Sequence, residues 1–505
     1  MRRNRILRAA GTLLVAAFAG WCLWRSAETE RDVLRRGVEP GYVQAWRTAA
    51  RSAKGHDVGV VCKEAGSLTP LERSCLIAAN WELGPRPAVA VSRDGLDAAP
   101  EVLLAGPSLD EADRVRLASL GYRLLKENVS VSLWSRDGRP LTPGASEPRT
   151  TVREVLALGL VLAVLVWGAK RAGSLSRPSP AQFVVLLALF GFLCAMALLH
   201  PLLPPNGLGV QAGKARLLYE AGCLPAGFAA DPRFAPYQPS YPPGVTALVL
   251  VFDILAGRAG DWLVQVLPAA VGTLLAWAVA DGSQRRTAWL VAVTVASSPV
   301  VVRMVSGFYA EPFAALLLVL GLRRLLSAGD GRGFVVLGLA GLFRHEALIV
   351  AAFLALAVLA TERRFSWKGL ACAVAPGVAW QAVTRLAGAG LYDYAFADLP
   401  SGARILEASG TAFRSAVVGC ADNGGLLVWG FAAIALAGLR RKLAVGLFAA
   451  GLLSAAAGCL MLGFCTSEHF AWIVRLSVPR YLWLSLFPAV SSAWRTACTK
   501  NVNVV

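Results

Sequence analysis

Residues 333–360, GFVVLGLAGLFRHEALIVAAFLALAVLA, form an apolar run of about 28 residues with Arg344, His345 and Glu346 set in its middle. Apolar stretches of about 18 residues or more read as membrane helices, and such runs recur along the chain between short clusters of arginine. Both flanks of this run are basic, Arg332 before it and Arg363-Arg364 after it. Basic residues collect on the cytoplasmic side of membrane proteins, so both ends lie inside and the segment crosses an even number of times. It is therefore expected to be a hairpin with the three ionisable residues at its tip. At about 1.5 Å per residue each arm reaches about 20 Å, short of a hydrocarbon core of about 30 Å. The tip should lie in a protein-lined recess below the external surface. Ionisable groups at such depth are functional by default, a buried ion pair that holds the hairpin being the plainer alternative.

Composition puts the whole chain in the same class, since 56% of its 505 residues are hydrophobic and 16% are charged. The net charge of +18 rests mostly on arginines at span ends, a positive-inside pattern that calls for no nucleic acid. The ten cysteines are scattered and include no CxxC, so no zinc or redox motif is read.

The arginine clusters also fix an orientation. MRRNR is inside, and Ile6 to Trp24 forms an uncleaved anchor, making 1–25 one unit. Residues 26–150 are external. The module 151–505 then alternates: Val152–Trp167 in to Lys170 and Arg171, Phe183–Leu199 out, Trp262–Val279 in to Arg285 and Arg286, Trp289–Met304 out, and Phe313–Leu322 in to Arg323 and Arg324. After the hairpin come Leu370–Leu386, Leu426–Leu439, Leu443–Phe464 and a last span opening at Pro479. The expected fold is mostly α, a polytopic helical bundle of about twelve spans with both termini cytoplasmic, plus a small external α/β domain. Val245 to Leu255 is placed as a helix lying at the external interface, begun by Pro242 and Pro243 and ended by Gly257.

In the external segment Val58–Cys62, Ala88–Val91, Val102–Leu104 and Val129–Trp134 read as short strands, with helical patterns at Leu71–Trp81 and Asp110–Leu120. With no phosphate loop or nucleophile elbow, it reads as an accessory or recognition domain. Cys62 and Cys75 can be either a disulfide or two buried thiols.

The functional candidates gather on the external side. The loop 200–245 is long, polar and crowded, the mark of a working platform. Glu311 stands where the chain emerging at Met304 turns back, with Pro312 fit to start the returning helix. An acid there can be a base, a metal ligand or a helix-dipole partner. Lys214, Arg216, Arg303, Arg344, Arg475 and Arg480 fall in the same layer, as a phosphate-bearing substrate would need and as lipid headgroups would also explain. Tyr241, Tyr309 and Tyr481 can stack on a sugar or anchor the interface. His200 and His469 have no ligand spacing, so no cofactor is expected, a divalent metal being the alternative.

Five motifs in order, NGLGVQAGKARLLYEAG (206–222), YPPGVTALVL (241–250), GFYAEPFAALL (307–317), GLFRHEAL (341–348) and PRYLWLSLFP (479–488), resemble the GT-C class of polytopic membrane glycosyltransferases. That class uses sugars linked to polyprenyl phosphate, and the resemblance covers about residues 180–495. It implies transfer of a sugar from such a donor to an envelope glycan or lipid acceptor on the external face of a bacterial plasma membrane. Glu311 falls on the class's second acidic position, with Arg344, Arg480 and Lys214 as phosphate partners and His345 and Glu346 lining the recess. The departure is Asn206, which stands where the class places an aspartate; an amide neither takes a proton near neutral pH nor carries charge to a metal. Two other readings follow: a GT-C-like partner protein without activity, or a transporter or flippase for a lipid-linked substrate.

Overall fold

The computed structural model describes residues 38–62 and 88–136 with short breaks, 151–198, 210–259 with short breaks, 263–281, 298–362, 367–389, 442–461 and 483–488, besides isolated positions that include Arg480. It is mostly helical, with one small sheet.

The sheet contains β1 (Val58–Cys62), β2 (Val89–Ser92), β3 (Val102–Ala105), β4 (Arg123–Glu127) and β5 (Ser132–Ser135) in the order β2-β1-β3-β5-β4. β1 runs parallel to β2 and β3, while β5 is antiparallel to β3 and β4. β1, β3 and β5 are buried along their whole length, as strands covered on both faces must be. Helices α1 (Val38–Ser52) and α2 (Glu111–Ser119) accompany them, α2 starting from a reciprocal capping box between Asp110 and Asp113. The four expected strands are present with small shifts of their ends. RLLKE at β4 escaped the sequence reading because its charged ends hide the alternation. It is an edge strand, where charge is tolerated, and Arg114 of α2 grips its Glu127 at 2.5 Å. The Cys62 thiol donates to the Val91 carbonyl at 3.3 Å, and Cys75, the other half of the pair considered from the sequence, lies outside the described residues.

The helices that follow are α3 (Val152–Gly173), α4 (Pro180–Leu198), α5 (Ala212–Ala221), α6 (Gly244–Ala256), α7 (Val266–Ala280), α8 (Pro299–Ser306), α9 (Glu311–Arg323), α10 (Gly333–Leu339), α11 (His345–Thr361), α12 (Lys368–Leu386) and α13 (Lys442–Met461). α7 and α9 are buried almost all round, whereas α3 and α4 present bare apolar faces that include Leu156, Trp167, Phe183 and Val184. Such faces are what a helix turned toward lipid shows. The expectation of about twelve spans is not supported. Among the described residues three helices are long and apolar enough to cross, Val152–Gly173, Pro180–Leu198 and Leu263–Ala280, or four if the bent pair Pro299–Ser306 and Glu311–Ala328 counts as one. The physical reason is helix length: the helices beside the expected breaks at 307–310 and 343–344 have only 8, 13, 7 and 17 residues, and α12 carries Lys368, Gln381 and Arg385 in its 19 residues. The spans expected at Ile6–Trp24 and Leu426–Leu439 lie outside the described residues. The protein is a helical one that associates with a membrane.

Two arginine clasps set the frame. On one side Arg258 holds Glu154, Nε to Oε1 at 2.7 Å, and Arg153 donates to the Leu255 carbonyl at 2.8 Å, tying the end of α6 to the start of α3. Between these contacts Gly257 ends α6 at φ +75°, a conformation only glycine takes freely, so the expected end of this helix is where it falls. On the other side Arg323, read from sequence as one of a cytoplasmic pair of surface charges, is buried. Its Nε donates to the Gly173 carbonyl at 2.7 Å, its Nη1 to the Asp281 carbonyl at 3.0 Å, and its Nη2 meets the Asp281 carboxylate. α6 begins at Gly244, where an added Cβ would sit 2.7 Å from the Leu342 carbonyl oxygen, so glycine is what lets the platform helix touch the break before Arg344.

Candidate functional site

The site starts from a broken helix. α8 opens at Pro299 and stops at Ser306; after a break of four residues, 307–310, α9 opens at Glu311, and the chain bends by 117° across the break. Phe308 in the break is fully buried with φ +55°, a left-handed conformation costly for a residue with a bulky Cβ substituent. Conformations of this kind cost about 1–3 kcal/mol and persist only where the surroundings impose them, often at functional sites. The turn expected between Met304 and Phe313 is thus present, and it delivers the Glu311 side chain into the interior.

Glu311 has no exposed surface. Its Oε1 accepts from Nη1 of Arg480 at 3.0 Å and lies 3.5 Å from Nη2 of Arg344. Its Oε2 is buried without a hydrogen-bond partner among the described residues. Arg344 comes from the second broken segment, where the helix of 333–342 stops at Phe343 and Arg344 caps α11 in extended backbone. The break therefore falls on the expected polar triplet. Arg344 also pairs with Glu346, Nε to Oε2 at 2.6 Å, with the hydrogen bond running from Nη2 to Oε1 at 3.2 Å.

Each of the two arginines lies over a tyrosine, Arg344 5.1 Å from the Tyr241 ring centre and Arg480 4.6 Å from that of Tyr309. A guanidinium over a ring face is attracted by the ring and partly desolvated, and its in-plane N–H groups point toward oxygen acceptors. Tyr241 is itself fixed by a turn in which its N–H donates to the Gln238 carbonyl at 2.9 Å, Gln238 taking φ +46°. Trp380 of α12 donates to the Ser240 carbonyl at 2.9 Å. Lys214 of α5, buried, donates to the carbonyls of Tyr241 and Gln238 at 3.1 and 3.4 Å. His345 completes the group, its ring edge-on to Tyr241 with 5.4 Å between centres and its Nδ1 bonded to the Gln381 amide.

Seven residues named from the sequence, Lys214, Tyr241, Glu311, Arg344, His345, Glu346 and Arg480, are thus joined by direct contacts, though they come from five separate stretches of chain. Asn206 and Tyr481 lie outside the described residues, as do His200, His469 and Arg475. Arg303 is exposed, and Arg216 pairs with Glu220 at 2.9 Å along α5. Lys214 binds backbone carbonyls, which gives it the task of holding the turn. Gln381 and Trp380 were passed over in the sequence, although an amide in an apolar span is itself a signal. No group of three or more His, Cys, Asp and Glu side chains arranged to hold a metal ion occurs among the described residues.

Burial without a carboxylate partner pushes the Lys214 ammonium down to about 7. An unfolded lysine keeps its proton to about 10.4. Between these values the unfolded chain holds a proton that the folded chain has released, so stability should rise with pH from about 7 to about 10 and be lowest below that window. Thermal unfolding in detergent at pH 7 and pH 9 should show the rise in the wild type and a flatter profile in Lys214→Met. An equal rise in both would place its origin elsewhere.

No protein-family model, no curated protein and no solved structure matches this chain.

Proposed function

We propose that the protein is a membrane glycosyltransferase of the GT-C kind, moving a sugar from a polyprenyl-phosphate donor to a hydroxyl of an envelope glycan or lipid on the external face. The observation that carries this reading is Glu311, a fully buried carboxylate held through one oxygen by two arginines, with its second oxygen lacking a protein partner. Oε2 can take the proton of an acceptor hydroxyl as that oxygen attacks the anomeric carbon. The bond from that carbon to the phosphate oxygen breaks, the electron pair leaves with the lipid phosphate, and inversion follows from attack opposite the leaving group. Arg344 and Arg480, each over a tyrosine ring, are the groups able to take up charge on the departing phosphate. The bacterial plasma membrane and the external position of 26–150 belong to the same proposal.

A second reading rests on Asn206: a protein that keeps the arrangement and serves as a non-catalytic partner in an envelope assembly. The test is a transfer assay with polyprenyl-phosphate-linked sugars, comparing the wild type with Glu311→Gln and Asn206→Asp. Activity in the wild type that Glu311→Gln removes supports the transferase. Activity that appears only in Asn206→Asp supports the partner.

A further inference from the structure

Two buried polar atoms in the cluster have neither a hydrogen-bond nor an ion-pair partner among the described residues, Oε2 of Glu311 and Nε2 of His345. Leaving such an atom unmet costs about 1–3 kcal/mol, which a ligand hydroxyl meeting it would recover. The other nitrogen of His345 is already engaged. The Gln381 amide, as placed, donates its Nε2–H to Nδ1 of His345, which leaves the ring proton on Nε2. The ring cannot turn freely to find another partner, because its edge rests on Tyr241 and it is the first residue of α11. Arg344, Glu346 and Lys214 are the charged groups around it. The two atoms form a complementary pair, one acceptor on a carboxylate and one donor on a neutral ring. Arg344 joins them in space, as it touches Glu311 and lies over the Tyr241 ring that His345 abuts.

We infer that His345, positioned by Gln381, is a sugar-reading residue: its Nε2–H donates to a hydroxyl of the carbohydrate whose transfer Glu311 serves. This rests on the transferase reading. A lone phosphate would be satisfied by the arginines; what a carbohydrate adds is neutral oxygens that need neutral donors. Gln381 touches no ligand in this scheme and acts by holding the ring and its tautomer.

The test is binding to the full chain in detergent, measured by titration calorimetry with farnesyl phosphate and with a panel of farnesyl-phosphate-linked hexoses and pentoses. The wild type should bind at least one glycosylated lipid about 10-fold more tightly than farnesyl phosphate, the worth of one hydrogen bond that would otherwise leave a buried donor unmet. His345→Asn retains a nitrogen near the Nδ1 position only, and should erase that preference while farnesyl phosphate binds as before. His345→Gln, whose amide nitrogen reaches the Nε2 position, should restore it. Gln381→Glu keeps the contact but moves the ring proton to Nδ1, turning Nε2 into an acceptor, and should change which sugar is preferred; Gln381→Leu should weaken the preference for every sugar. Melting temperatures of the same samples separate loss of fold from loss of recognition. A preference that survives in His345→Asn overturns this inference and leaves the transferase standing. A wild type that binds no glycosylated lipid better than farnesyl phosphate overturns the transferase reading itself.

Discussion

Glu311→Gln is expected to lower sugar transfer by about 10²–10⁴-fold, the usual contribution of a positioned general base, while the chain still folds. The substitution keeps the shape of a side chain that is fully buried. It removes the proton acceptor at Oε2 and the charge that Oε1 offers Arg480 at 3.0 Å. Arg344 keeps its second carboxylate, Glu346, at 2.6 Å, which limits the structural damage. Glu311→Ala should behave differently, since it leaves a void as well as removing a charge from between two arginines. There loss of activity would be joined by a lower melting temperature, because breaking a buried pair by removing one partner costs about 3–5 kcal/mol. Rates per folded molecule, with melting curves alongside, check both. Transfer in Glu311→Gln within about five-fold of the wild type, against the much larger loss that a general base predicts, would remove Glu311 from the chemistry and leave it as a structural ion pair.

Arg323→Met should cost about 3–5 kcal/mol of stability with the cluster around Glu311 untouched. The last turns of helices leave carbonyl groups unpaired and carry partial negative charge. Arg323 serves two such ends together, taking the carbonyl of Gly173, the last residue of α3, at 2.7 Å and the carbonyl of Asp281, the residue that caps α7, at 3.0 Å. The Asp281 carboxylate, which also accepts from the Ser176 backbone at 3.2 Å, faces the same guanidinium. Methionine leaves that carboxylate buried and the carbonyls unmet. The double change Arg323→Met with Asp281→Leu removes both charges and should recover much of the loss, as apolar replacements of buried pairs do. Melting of the two variants in detergent decides the matter, and a single variant as stable as the wild type would show that the clasp contributes nothing.

These two arginines also show what was legible in the sequence. Arg344 could be read because it interrupts an apolar run, so its position alone signalled a partner. Arg323 sits at the end of such a run, where a solvated charge is the ordinary explanation, and its partner Asp281 lies 42 residues earlier, beyond any local pattern. Glu311 was visible through Pro312 and the return of the chain. The strained backbone at Phe308 that aims it was not, because no residue type there announces a left-handed conformation. The span count ran high because each apolar arm was counted as a crossing, whereas arms such as Gly333–Leu342 and His345–Thr361 form helices shorter than a full span. Gln381 was missed for the opposite reason: a single amide hardly changes the mean over 19 residues, yet it fixes the histidine that the same reading had singled out.

The complete burial of Glu311 bears on time as well as on place. A carboxylate with no contact with solvent can meet a lipid-borne substrate only after some neighbouring segment has moved aside. The turn that Lys214 and Trp380 fasten is one such segment, since its Tyr241 lies under the Arg344 that meets Glu311. Displacements of that size run on the microsecond-to-millisecond scale and commonly limit turnover. The rate at which this protein works would then be governed by how often it opens, and substitutions that loosen the Gln238–Tyr241 turn would change its speed without touching the bond that is made.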